Sequence, residues 1–84
     1  MSTKFKLTKL DGLTRRVTFS TPPTWSTLAT KIHTLFDIPV DHVGVSYVDS
    51  DSDEVTLSSE DELREYYQGV IQPGDVVKFV VQDL

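Results

Sequence analysis

The chain has 84 residues, no cysteine, and 13 acidic against 8 basic residues, for a formal charge of −5. That length bounds a single small core, and the missing cysteines exclude disulfides, thiolate nucleophiles and cysteine-based zinc sites. At 38% hydrophobic and 25% charged the chain should fold, and no apolar run reaches the ~18 residues of a membrane span.

In chain order, Thr3 to Thr8 alternates, with Phe5 and Leu7 on one face and Lys4, Lys6 and Thr8 on the other, as in a half-buried strand. Asp11-Gly12 marks a turn, and Arg15 to Ser20 alternates again through Val17 and Phe19, so a hairpin is expected. A two-residue turn would set Leu7 opposite Arg16, an apolar and a charged side chain on one face, which register disallows. An odd loop or a bulge instead sets Leu7 opposite Val17 or Arg15, and either choice puts Lys6 and Arg16 on the same outward face. Pro22-Pro23 breaks the sheet and Thr24 is placed to cap a helix. Trp25, Leu28, Ile32, Leu35 and Phe36 form its apolar stripe, with Trp25 read as core, His33 off the stripe and Pro39 ending the region.

Val43, Val45 and Tyr47 alternate as a third strand and Val55 to Leu57 make a short fourth. Ser59 with Glu62 three residues on is a capping box, opening a second helix with Leu63, Tyr66, Tyr67 and Val70 on its buried face. Pro73-Gly74-Asp75 is a turn, and Val76 to Val81 reads as a last strand with Val77, Phe79 and Val81 inward and Lys78 outward. The order β-β-α-β-β-α-β, an α+β class with a mixed five-stranded sheet and two helices, resembles the β-grasp arrangement of ubiquitin-like domains. That analogy bears on fold and not on function.

Charge is segregated along the chain. Residues 1–16 hold Lys4, Lys6, Lys9, Arg15 and Arg16 against Asp11 alone. Residues 49–65 hold Asp49, Asp51, Asp53, Glu54, Glu60, Asp61, Glu62 and Glu65 against Arg64. Eight acids in so short a stretch repel one another, and a partner that offsets this cost is expected. Asp49, Asp51 and Asp53 have the spacing of a calcium loop with Glu60 at its twelfth position, but Glu54 stands where the loop needs glycine and the preceding segment reads as a strand. No metal site is therefore assigned, and His33 and His42 are too few to supply one. Nor is there an apolar pocket beside these carboxylates to raise one pKa for acid catalysis, so no catalytic residue and no cofactor are assigned.

The stretch from Tyr47 through Asp49, Asp51, Asp53 and Val55-Thr56-Leu57 to Glu60, Asp61, Glu62 and Leu63 resembles the acidic OPCA motif of the Phox-and-Bem (PB-one) domain. Ser52 departs from it, standing where the motif has glycine. Members of that family also carry a basic cluster that pairs a lysine of the first strand with basic residues of the second. Lys6, with Lys4 as the alternative, fits the first position, and Arg15-Arg16 the second. The chain is thus similar to the mixed type, which bears both surfaces.

The resemblance implies a protein-interaction domain, not an enzyme. Its basic face (Lys4, Lys6, Arg15, Arg16) would pair with the acidic face (Asp49, Asp51, Asp53, Glu54, Glu60, Asp61, Glu62) of another copy, giving oligomers or filaments. The Pro22-to-Leu28 approach to the first helix is most similar to the selective-autophagy receptor group, in which such a domain over residues 1–84 would open a longer protein. A heterotypic adaptor that binds a different Phox-and-Bem domain, in a polarity or kinase scaffold, uses the same patches and stays open. A ubiquitin-like modifier would need a Gly-Gly tail, whereas the sequence closes on Gln82-Asp83-Leu84. Nucleic acid is not expected as a partner, because the acidic segment repels phosphate. Since Met1-Ser2-Thr3-Lys4 lacks the apolar stretch of a secretory leader, a cytoplasmic location is expected.

Overall fold

The computed structural model describes residues 2–69, 71 and 74–84. The hairpin comes first, from β1 (Thr3–Lys9) and β2 (Thr14–Phe19), and its register is odd, as the alternation requires. Leu7 lies opposite Arg15, Phe5 opposite Val17 and Lys6 opposite Arg16. The loop achieves this with three residues, Leu10 to Gly12. The Lys9 N–H donates to the Leu13 carbonyl at 2.8 Å, the Gly12 N–H donates to the Lys9 carbonyl at 2.8 Å, and Gly12 takes φ +97°. Positive φ at this third loop residue is the reason a glycine stands there.

Helix α1 (Trp25–Phe36) starts as expected, with the Thr24 hydroxyl accepting the Thr27 N–H at 3.2 Å. It stops earlier than the proline suggests. Asp37 turns left-handed at φ 58° and donates its N–H to the His33 carbonyl at 2.9 Å, so Pro39 follows a helix already closed. Ile38 then returns to the core, and a single 3-10 turn at Val40–His42 leads into β3 (Val43–Val48) and β4 (Glu54–Leu57). Helix α2 (Glu60–Gly69) buries Leu63 and Tyr66, with Tyr67 half-buried. Val70, expected on the same face, and Pro73 of the expected turn lie outside the described residues. Strand β5 (Val77–Asp83) completes the order β-β-α-β-β-α-β.

The sheet runs β2-β1-β5-β3-β4, with β1 and β5 parallel and the other neighbours antiparallel. This mixed five-stranded sheet under two helices is the ubiquitin-like β-grasp. Both helices cover one face, where Phe5, Leu7, Val17, Val45, Leu57, Val77, Phe79 and Val81 are buried. Phe79 is the hub of an aromatic cluster, 5.8 Å from Phe5 and 5.0 Å from Tyr66 between ring centroids. Trp25 is half-buried against this core. Two polar ties join the helix starts: the Tyr67 hydroxyl donates to the Pro23 carbonyl at 2.8 Å, and Glu60 Oε1 accepts the Trp25 N–H at 2.9 Å. Burial, followed by the nearby charge of Glu60, pushes the Tyr67 hydroxyl pKa upward. Among the described residues no helix is long and apolar enough to cross a membrane.

Successive residues of β5 should therefore respond oppositely to truncation. Phe79→Ala is expected to cost about 3–5 kcal/mol, a large share of the roughly 5–15 kcal/mol that holds such a domain together. Lys78→Ala should stay within about 0.5 kcal/mol. Urea denaturation of the two variants checks this.

Candidate functional site

The face of the sheet turned away from the helices carries a row of cations. Lys6 of β1 sits between Arg16 of β2 and Lys78 of β5, each its direct partner in register. Neighbouring strands lie about 4.8 Å apart, so three positive charges are strung across roughly 10 Å. Like charges in direct opposition are unfavourable, and none of the three is in an ion pair among the described residues. The two ion pairs among the described residues are His42 with Asp83 at 3.3 Å and Arg64 with Glu60 at 3.4 Å, and neither touches the row. Lys4 is exposed further along the same face, opposite Thr18.

Two placements differ from the sequence expectation. Arg15 does not join Arg16: lying opposite Leu7, it belongs to the helix-covered side of the sheet and emerges exposed at the β2 edge. Lys78 does join the row. Its outward orientation was legible in the alternation of β5. Its place beside Lys6 was not, because it depends on the parallel pairing of the first strand with the last.

The acidic loop between β3 and β4 is built around Asp49. Its Oδ1 accepts the backbone N–H groups of Asp51 at 2.9 Å and of Asp53 at 3.0 Å. The Asp49 N–H donates to the Asp53 carbonyl at 2.9 Å, and the Asp49 carbonyl accepts the Ser52 N–H at 3.0 Å. Asp49 is thus the loop's internal acceptor, an Asx turn closed on itself. Asp51 and Asp53 are exposed, and their carboxylates have no partner among the described residues. Carboxylate oxygens of the three aspartates lie within 4.8 Å of one another. Ser52 occupies a left-handed position at φ 66°, the conformation that accounts for the motif's glycine.

The remaining acids divide between internal and outward use. Glu54 lies on the outer face, where its Oε2 accepts the Ser46 hydroxyl at 3.1 Å. Glu60 ties α1 to α2 through the Trp25 N–H and pairs with Arg64, so it does not turn back onto the loop as a twelfth calcium ligand would. Glu62 Oε1 accepts the Ser58 N–H at 3.0 Å and the Ser59 hydroxyl at 3.0 Å. Ser59 caps as expected, its hydroxyl accepting the Glu62 N–H at 3.4 Å, while the reciprocal bond is shifted by one residue, the glutamate reaching the Ser58 amide instead of that of Ser59. Those bonds, the Ser58 N–H foremost, hold the Glu62 carboxyl below its ordinary value of 4.5. Asp61 is exposed and makes no bond or ion pair among the described residues. Asp51, Asp53 and Asp61, with Glu65 of α2, are the acids of this segment that are exposed and without a bond or ion pair among the described residues.

Two consequences are measurable. A side chain in the left-handed region costs roughly 1–2 kcal/mol, whereas glycine loses about 0.5–1 kcal/mol in chain entropy. Ser52→Gly should therefore raise stability by up to about 1 kcal/mol, or about 4–8 °C in melting temperature. Because the folded-state pKa of Glu62 is depressed, its stabilisation is present above the unfolded value of 4.5 and is lost as pH falls through the lowered folded value. Glu62→Gln should flatten this part of the acid dependence, followed by thermal melts from about pH 5 to 3.

Comparison with known proteins gives this geometry a family. Two solved structures similar to the chain are the AtNBR1 PB1 domain, at 20% identity and a TM-score of 0.76 over 99% of this chain and 98% of that one, and a cryo-EM structure of the AtNBR1 PB1 filament (L-type), at 21% identity and a TM-score of 0.73 over 98% and 97%. No curated protein sequence matches significantly. The family model of the PB1 domain matches residues 2–84, and the chain belongs to the PB1 domains, a family of protein-interaction modules.

Proposed function

We propose that this PB1 domain associates with further copies of itself front to back. The observation that carries the reading is the pair of uncompensated surfaces. Arg16, Lys6 and Lys78 stand in a row with no ion pair to them among the described residues, and Asp51 and Asp53 stand out from a loop already held by Asp49. Arg16 can engage a carboxylate bidentately while the lysines act as point charges. Lys4 flanks the row, and Arg15 reaches from the β2 edge toward acids beside the loop, Asp61 among them.

Such a contact joins unlike patches, so each added copy leaves one of each exposed, and the assembly closes as a ring or grows as an open filament. The filament formed by the AtNBR1 PB1 domain supports this reading. Isolated exposed pairs contribute only ~0.2–1 kcal/mol each, so the interface needs several pairs acting together. We place the domain within a longer cytoplasmic protein of the selective-autophagy receptor type, where polymerisation would multiply weak cargo contacts into avidity.

Sedimentation velocity across concentration at ~0.05 and ~0.5 M salt tests the assembly. Mass should climb with concentration at low salt and fall toward the 9.5 kDa monomer at high salt. Charge reversal at Lys6 and Arg16, or at Asp51 and Asp53, should each abolish growth. Mixing the two variants should restore a dimer and nothing larger. A monomer under all conditions would refute self-association and assign the faces to a different PB1 domain.

A further inference from the structure

Ser46 of β3 points to the outer, helix-free face of the sheet, yet it is 0% exposed. Its hydroxyl donates to Glu54 Oε2 at 3.1 Å and accepts from Gln82 Nε2 at 3.1 Å. The three side chains form a fully satisfied relay across β5, β3 and β4, and no buried polar side-chain atom among the described residues lacks a partner. The position of Glu54 makes this relay more than structural. A groove of about 760 Å³ is lined by Glu54, Ser46, Val48, Lys78 and Lys6 together, and also by Asp75, Tyr66 and Phe79. Val48 lies opposite Glu54. Val48 and Lys78 each stand two residues beyond the last paired position of β3 and β5, Ser46 opposite Val80. Beyond that position the two strands are no longer paired, and Glu54 and Lys78 both line the groove that opens there. They form no ion pair.

We infer that Ser46 is a positioning residue for the basic face: it draws Glu54 away from the cation row and so leaves Lys78 and Lys6 for a partner's carboxylates. Two acids share the groove with both lysines, Glu54 and Asp75, and Glu54 is the one whose carboxylate is held by Ser46. With the Ser46 hydroxyl removed, the Glu54 carboxylate loses the one hydrogen-bond donor it has among the described residues and swings over Val48 onto Lys78. In this account Glu54 acts on its own basic face and not on the next copy's. The inference rests on the front-to-back reading above.

The test uses two variants of the whole chain. K6E/R16E retains only the acidic loop, and D51K/D53K retains only the basic face, so that mixing them forms one interface, measured by titration calorimetry at low salt. S46A in the basic-face partner is expected to weaken that heterodimer about two- to five-fold, the effect of one exposed charge pair. The same substitution in the acidic-loop partner should leave it unchanged. Adding E54Q to S46A in the basic-face partner should restore the affinity, and E54Q alone there, with Ser46 intact, should hold or tighten it. Equal loss from either partner, or a loss that E54Q does not restore, would overturn the inference and leave Ser46 as a fold contact only. Failure of the two Ser46-containing variants to form any heterodimer would refute the pairing itself, a distinct result.

Discussion

The two-residue period of β1 is the constraint on which the rest of the molecule depends. This strand has a paired neighbour on each side, β2 antiparallel and β5 parallel. One parity therefore sets the orientation of three strands at once: Phe5 and Leu7 inward among the core aromatics, Lys4 and Lys6 outward. The same step that drives Phe79 into the core drives Lys78 out beside Lys6. Core and cation row are two sides of one alternation, so a slip of one residue would lose both together.

The acidic half follows a different logic. An inventory of carboxylates overstates the surface available to a partner, because several are consumed by the fold. Asp49 shapes its own loop, Glu60 holds the two helix starts together, Glu62 caps α2, and Glu54 is bound by a buried serine. The hydrogen bonds that these acids accept offset part of the self-repulsion in the segment. That leaves Asp51, Asp53, Asp61 and Glu65 as the charges of this segment turned outward.

Most of the architecture was legible in the sequence because periodicity and punctuation reported it directly. The odd hairpin register followed from the clash between Leu7 and Arg16, and the N-terminus of α1 from Pro22-Pro23-Thr24. The end of that helix is not marked by Pro39, because the effective stop is a left-handed Asp37, and aspartate does not announce that conformation as glycine does. In the site, Lys6 with Arg16 could be derived from local alternation. The separation of Arg15 from Arg16 depended on which odd register the loop selects, and the recruitment of Lys78 on a contact between the two ends of the chain. Side-chain commitments such as Glu60 to the Trp25 amide, 35 residues away in sequence, leave no trace in spacing.

The closed Asp49 turn bears on kinetics. Because the loop's backbone is already fixed by its own carboxylate, a partner has little to order there on arrival, and the cost of immobilising a mobile segment is largely absent. Charges held rigidly at the surface can orient an approaching molecule before contact, so ionic strength acts chiefly on the rate of encounter, while the short-range fit sets the lifetime. A chain built from such links would exchange subunits at its ends at a pace governed by dissociation, with salt setting how quickly a lost copy is replaced.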